Sequence, residues 1–380
     1  MKKVAILTTG HPPLDDRIFY KISHSLIKFG YHVKIICTTQ QGEWTQDNIE
    51  IKGILFNNLK NPLIKKLQFF VNELKLFHPE IVICSEPLPV IFSYVYKITI
   101  KYKVKIIYDI TEWYPENIAN KKYGLIKYLT ILFGHIINFL ATNFSSYLFI
   151  GEEWKLKRYR LYSPKKNFSI ISYYPVLEYY NFSPPNLLTN EIIFGYAGVI
   201  SVSRGLEIFY RLMKTLRNRL PLSQKITFVL AGRFETEEEK EYLEKFNSIN
   251  INFEYHQWTD YKSFSKILEN VHICLDIRPR NGIYERSLPI KIFDYMALGK
   301  CIIASNYEPI KNIFDIARFG VLVDPENFYD IVENTINLIS HPHKIQEAGI
   351  NGRKAVEKIF NWNVCEQEIK KVLETLNDSE

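Results

Sequence analysis

The chain has 380 residues, 47% apolar and 23% charged, with a formal net charge of +7. That length suits two or three domains, and the composition excludes a disordered or fibrous chain. Its five cysteines are scattered, with no Cys-x-x-Cys pair, which argues against a disulfide framework or a zinc site and for buried, reduced thiols in a cytoplasmic protein.

In chain order, Met1-Lys2-Lys3 leads into an apolar run that stops at Thr8-Thr9-Gly10-His11, too short for a secretory signal, so Val4–Thr8 reads as a first strand. The loop after it has neither the spaced glycines of a dinucleotide site nor a Gly-Lys-Ser/Thr end, which removes dehydrogenases and P-loop enzymes. His32–Cys37, Ile81–Cys84, Lys105–Tyr108 and Tyr147–Ile150 read as further strands. Arg17–Phe29, Ile64–Phe77, Val90–Lys101 and Leu125–Asn143 have helical length and spacing. Residues 123–143 are rich in Leu, Ile and Phe, and Lys121 and Lys122 precede them. Either a buried helix or one lying in a membrane interface fits, although no uninterrupted apolar run reaches the roughly 18 residues of a membrane span.

Tyr173–Asn190, with three prolines and little periodicity, reads as a linker. The alternation then restarts with strands at Ile192–Tyr196, Ile226–Ala231, Ile251–Tyr255, His272–Leu275 and Ile302–Ala304. Helices are expected to begin near Gly205, Glu237, Tyr261, Pro289, Asn327 and His343. Two strand–helix series predict an α/β protein of two doubly wound, Rossmann-like domains, 1–175 and 190–360, facing each other across a cleft. Ligands are expected at the carboxyl ends of the strands. Residues 1–180 hold 24 Lys and Arg against 14 Asp and Glu, and the rest of the chain 24 against 27. A basic first half suits anionic lipid or phosphorylated substrates, but the charge is dispersed and no nucleic-acid recognition motif is present.

The segment from Tyr284 to Lys300 concentrates the chemistry. Pro289 fits the first turn of a helix and Gly299 its C-terminal cap. Ser287 and Leu288 would flank the helix start, where free backbone N–H groups can receive a diphosphate. Helical spacing puts Lys291, Asp294 and Tyr295 on one face and Ile292, Phe293 and Met296 on the other. That arrangement suits a phosphate–ribose ligand, and it equally suits a solvated Lys–Asp pair, which spacing alone favours.

Ser287 through Lys300 resembles the nucleotide-sugar motif of family 4 glycosyltransferases with the GT-B fold, in the subgroup reading Ser-Leu-Pro-x-Lys-x-Phe-Glu-Tyr-Met. The resemblance implies that Asp294, at the family's glutamate position, binds the ribose hydroxyls. Phe194 to Leu206 resembles the family's strand–loop–helix, which implies that Gly198 lines the donor and Arg204 holds its diphosphate, with Val199 where a second arginine is frequent. Gly10 to Ile18 resembles the family's first loop and gives His11, Asp16 and Arg17 an acceptor-side place. Ile107 to Glu116 resembles its Tyr-Asp-x-His-Glu-x-Tyr-Pro-Glu element, with Thr111 in place of the histidine and Glu112 kept to orient the acceptor hydroxyl. Glu86 sits at another such strand end. Tyr284, Arg233 and Trp258 fall near the implied donor. Glycine-turn geometry also accounts for Gly232-Arg233, and a core role for Trp258. Phe360 to Asn363 resembles the crossover into a terminal helix, 362–380, that packs back on the first domain.

The resemblance implies a retaining, metal-independent transfer from a nucleotide-diphosphate sugar to a saccharide or lipid-linked acceptor in surface glycan synthesis, with no cofactor. Arg204 and Lys291 would stabilise the departing diphosphate. A nucleotide-sugar 2-epimerase and a non-catalytic GT-B partner protein are the alternatives.

Overall fold

Short runs of Val, Ile and Leu, buried on both faces, build two parallel sheets in a computed structural model that describes residues 1–56, 62–120, 122–185, 190–257, 260–261 and 263–378. The chain divides into two units, Met1–Tyr173 with Asn363–Glu380, and Tyr174–Trp362. The doubly wound α/β architecture expected from the alternation is the one the chain adopts.

The first unit holds β1 (Lys3–Thr8), β2 (His32–Cys37), β3 (Gly42–Gln46), β4 (Ile49–Gly53), β5 (Ile81–Cys84), β6 (Lys105–Ile110), β7 (Tyr147–Ile150) and β8 (Phe168–Ile170). They are ordered β3-β4-β2-β1-β5-β6-β7-β8, and every pairing is parallel except β3 with β4. That hairpin was not anticipated. Its signal is the Asp47-Asn48 pair, both at positive φ (49° and 63°), as a two-residue turn between twisted strands requires. After β1 the chain enters π-helical turns at Asp16–Ser23, capped by Asp15, whose Oδ1 accepts from the Arg17 and Ile18 N–H groups. The terminal helix, Trp362–Asp378, is tied to this unit by Lys28–Glu366 at 2.6 Å and Ser169–Glu368 at 2.7 Å.

The second unit holds β9 (Glu191–Ile200), β10 (Lys225–Phe234), β11 (Asn252–Gln257), β12 (Ile273–Asp276), β13 (Cys301–Ser305) and β14 (Gly320–Val323). The all-parallel order β11-β10-β9-β12-β13-β14 reverses direction between β9 and β12, which is where open sheets of this kind take ligands. Residues 174–185 are not a free linker. Tyr180 is buried, Phe182 covers Gly299 so closely that a Cβ there would come within 2.5 Å, and Lys300 Nζ donates to the Ser183 carbonyl. All five cysteines are buried and unpaired.

Candidate functional site

At the reversal point, β9 ends in Gly198-Val199-Ile200 and β12 in Asp276, followed by Ile277 and Arg278. Gly198 (φ +137°) and Gly232 (φ +142°) are partners across β9 and β10. A Cβ on Gly232 would sit 1.7 Å from the Gly198 carbonyl oxygen, and one on Gly198 would sit 3.3 Å from Lys291 Nζ. Both glycines are therefore required by close approach and by backbone conformation. They leave the strand ends bare.

Lys291 rises into that space from the helix Ile290–Leu298. Its Nζ is 3.8 Å from the centroid of the Tyr196 ring and 3.6 Å from Asp276 Oδ1, and it has no hydrogen-bond partner among the described residues. Burial pulls its pKa well below that of an ordinary lysine; Asp276 opposes this, while Arg278 and Arg204 reinforce it. Arg278 Nε donates to Asp276 Oδ1 at 3.1 Å, and its guanidinium lies 5.3 Å from the Tyr284 ring. The backbone of Arg278 is pinned by Ser305 and Tyr307, whose hydroxyls donate to its carbonyl at 3.1 and 2.7 Å. Arg204 Nε and Asp276 Oδ2 are also buried without a partner. Three cations thus converge on one desolvated place with unused donors, a preorganised receptor for a polyanion. Arg278 was missed from the sequence, where it is only a cation two residues past a strand end.

The helix itself departs from the two-faced picture. Every residue from Ile292 to Leu298 is buried, Asp294 and Tyr295 included, because residues 174–185 and the helix Pro342–Lys358 cover the side expected to meet solvent. Asp294, read as a ribose ligand or a solvated partner of Lys291, accepts a 2.6 Å hydrogen bond from Tyr180. Tyr295 OH faces the Ala197 backbone. Pro289 stands at the N-cap and no side chain caps that end, so first-turn N–H groups remain for an anion. Ser287, Leu288 and Tyr284 are half-buried beside it, and Tyr284 OH lies 3.3 Å from Ser203 Oγ. Arg233 is exposed at the end of β10. Trp258 lies outside the described residues.

In the first unit, Glu86 follows β5 and is buried. It accepts from Thr8 Oγ1 at 2.8 Å, Thr9 N–H at 2.9 Å and Gly10 N–H at 2.9 Å. Both carboxylate oxygens therefore fasten the loop after β1. His11 lies 3.4 Å from Asp15 and 3.7 Å from Glu86. Burial alone would lower its pKa, but Asp15, Glu86 and Glu112 outweigh it and push it up to about 9. The ring is an imidazolium at neutral pH.

Arg17 does not face solvent as an acceptor-side residue would. Its Nε and Nη2 grip Asp109 at 2.8 and 2.6 Å, both residues fully buried, and its guanidinium is 4.4 Å from the Tyr173 ring centroid. The π-helical turn directs it inward onto the end of β6. Asp16 is partly exposed and pairs with Lys21 at 3.2 Å. Thr111 is buried, its hydroxyl donating to the Ser85 carbonyl at 3.5 Å and its own carbonyl accepting from Lys155. Glu112 is exposed beside His11, the one carboxylate of this group free of a fastening role in these contacts.

Residues 181–355 match the family described as Glycosyl transferases group 1. Over these residues the second unit is similar to group 1 glycosyltransferases. Its cation cluster and glycine-bared strand ends lie within the matched residues. The whole chain has the GT-B fold. It is similar to sucrose-phosphate synthase from Thermosynechococcus elongatus, at 13% identity and TM-score 0.78, with 100% of each chain covered. It is also similar to HepE from Anabaena in complex with UDP and glucose, at 10% identity and TM-score 0.70, covering 99% of this chain and 100% of that one. A third similar structure is a glycosyltransferase from Rickettsia africae, at 12% identity and TM-score 0.69, covering 100% and 99%. A search of the curated proteins finds no match.

Proposed function

We propose that this protein is a retaining, metal-independent glycosyltransferase that moves a hexose from a nucleoside-diphosphate sugar to a saccharide or lipid-linked acceptor in surface glycan synthesis. The observation that carries the reading is the convergence of Arg204, Arg278 and Lys291 at the β9–β12 reversal, with Lys291 Nζ and Arg204 Nε buried and unpartnered. A nucleoside diphosphate departs with growing negative charge, and fixed cations in a dry site stabilise that charge most where it develops. Arg204 and Lys291 are the catalytic cations, and Arg278 is a further phosphate ligand. Ser287, Leu288 and Tyr284 frame the phosphates; Gly198 and Arg233 line their approach. Asp294 reaches the ribose with whatever capacity its bond to Tyr180 leaves. The acceptor is taken at the carboxyl ends of β1, β5 and β6, where Glu112 orients its hydroxyl and the His11 imidazolium and Asp16 contribute polarity. The hydroxyl attacks on the face the diphosphate leaves, and a phosphate oxygen of the donor takes its proton. HepE, of the same fold, has been seen with UDP and glucose, which makes uridine donors the first to try.

The test is a thermal-shift screen against nucleoside diphosphates and their sugars in the presence of a chelator, followed by transfer assays with the donor it identifies. At a hundred times its dissociation constant a ligand adds about 2.7 kcal/mol of stability. No shift with any of them at millimolar concentration refutes the donor site. Binding without transfer to any acceptor would favour a non-catalytic GT-B protein, and isomerisation of the donor alone a 2-epimerase.

A further inference from the structure

The helix Gly124–Phe144 is built inside out. Two polar residues of its central and last turns point inward: Asn138 and Thr142 are fully buried, and Asn138 Oδ1 accepts from Tyr108 OH at 2.8 Å and Tyr159 OH at 3.3 Å. Its apolar residues point outward: Leu125, Ile126, Leu129, Leu132, Phe133 and Ile136 are between 42% and 73% exposed. An 18-residue window has a mean hydropathy of 1.5 and is only 11% buried. In water a helix of a globular unit turns its apolar stripe to the core, so the reversed orientation means that the outer face meets something apolar.

We propose that this face lies in the interface of a bilayer containing anionic lipid. The helix cannot cross the bilayer from this position, because its inner face is bonded to the first unit. Asn138 Nδ2 donates to the Tyr114 carbonyl, and Gly134 approaches Pro115 so closely that a Cβ would come within 2.2 Å. A helix held along one side and greasy along the other lies flat at the headgroup level. The charges favour anionic lipid. Residues 124–144 contain no Asp or Glu; Lys122 and Lys127 flank the exposed end, beside Tyr123 and Tyr128. The adjoining helix Glu153–Tyr162 exposes Trp154 and Leu161 with Lys157 and Arg160, against one carboxylate, Glu153. Tyrosine and tryptophan at the rim and lysine beside them are interfacial residues. A second copy suits this face less well, since a two-fold contact would set the same lysines against each other.

The full chain is sedimented with vesicles of phosphatidylcholine alone and with vesicles containing phosphatidylglycerol as well. Binding to the anionic vesicles, weakened by salt, is expected. Leu132→Glu and Phe133→Glu, both at exposed positions, should each weaken it tenfold or more, and Lys122→Gln and Lys127→Gln about fivefold each. All four variants should keep the wild-type melting temperature and nucleotide-induced shift, so failure here is separable from failure of the donor site. Wild-type protein that sediments with neither vesicle overturns the proposal. So does a lipid-free dimer, seen by sedimentation velocity, that Leu132→Glu dissociates, because the face would then belong to a second copy.

Discussion

Lys291 Nζ lies 3.6 Å from Asp276 Oδ1, close enough to be drawn to it and too far to be satisfied by it. The ammonium is buried, with Arg278 and Arg204 raising the cost of its charge. A lysine whose folded pKa is depressed binds fewer protons than in the unfolded chain, so stability rises with pH up to the ordinary value of 10.5. The arrival of a diphosphate reverses the balance and draws a proton onto Lys291. Calorimetry over a pH series below 10.5, in buffers of different ionisation enthalpy, should show proton uptake with a nucleoside diphosphate. Lys291→Met should abolish that uptake, raise the melting temperature of the free protein, and weaken the diphosphate by roughly ten- to a hundredfold. An unchanged protonation count would contradict the assignment.

Arg278 should behave as a ligand and not as a brace. Its backbone, held by Ser305 and Tyr307, does not depend on its side chain. Arg278→Lys keeps a charge but loses the planar fork, and should weaken nucleoside diphosphate at least tenfold while leaving nucleoside affinity unchanged. Isothermal titration with the diphosphate and the nucleoside separates the two.

The first unit should respond to pH in the opposite sense. The His11 pKa is raised from 6.5 to about 9, so its contribution is full below pH 6.5 and is lost as pH rises through 9. The difference amounts to no more than about 3 kcal/mol. Chemical denaturation from pH 6 to pH 10 should show this loss, and His11→Gln should flatten it.

Glu86 is a fastener, and its removal should be felt in stability first. Glu86→Ala strands three donors at the end of β1, a cost of about 2–4 kcal/mol. The melting temperature should fall while the nucleotide-induced shift in the second unit persists. A variant of normal stability would return Glu86 to the acceptor-facing group.

Gly232→Ala tests the bare strand ends. The new Cβ would lie 1.7 Å from the Gly198 carbonyl at a φ of +142°, so a loss above about 3 kcal/mol is expected, with nucleotide binding abolished. Denaturation of Gly232→Ala beside Arg233→Ala, which alters only an exposed side chain, distinguishes backbone approach from phosphate contact.

Sequence alone determined the alternation of buried strands and helices, and with it the two doubly wound sheets, because short apolar runs such as Val4–Leu7 and Ile302–Ala304 alternate with longer amphipathic segments. Arg204 and Lys291 were singled out by the resemblance of their segments to a family motif, where spacing alone favoured a solvated pair for Lys291. What periodicity could not supply was the company each side chain keeps. Asp294 shares a helical face with Lys291 in any wheel, yet Tyr180, 114 residues earlier, takes its carboxylate. Arg17 looks like a loop cation, yet Asp109 buries it. Arg278 joins Lys291 only because β12 and the following helix meet at the sheet reversal. The outward turn of Leu132 and Phe133 was likewise decided in three dimensions, by the hydrogen bonds that draw Asn138 inward. Local pattern fixes which elements form; pairings distant in sequence depend on how those elements pack, because a hydrogen bond or ion pair is made by proximity in space and leaves no period in the chain.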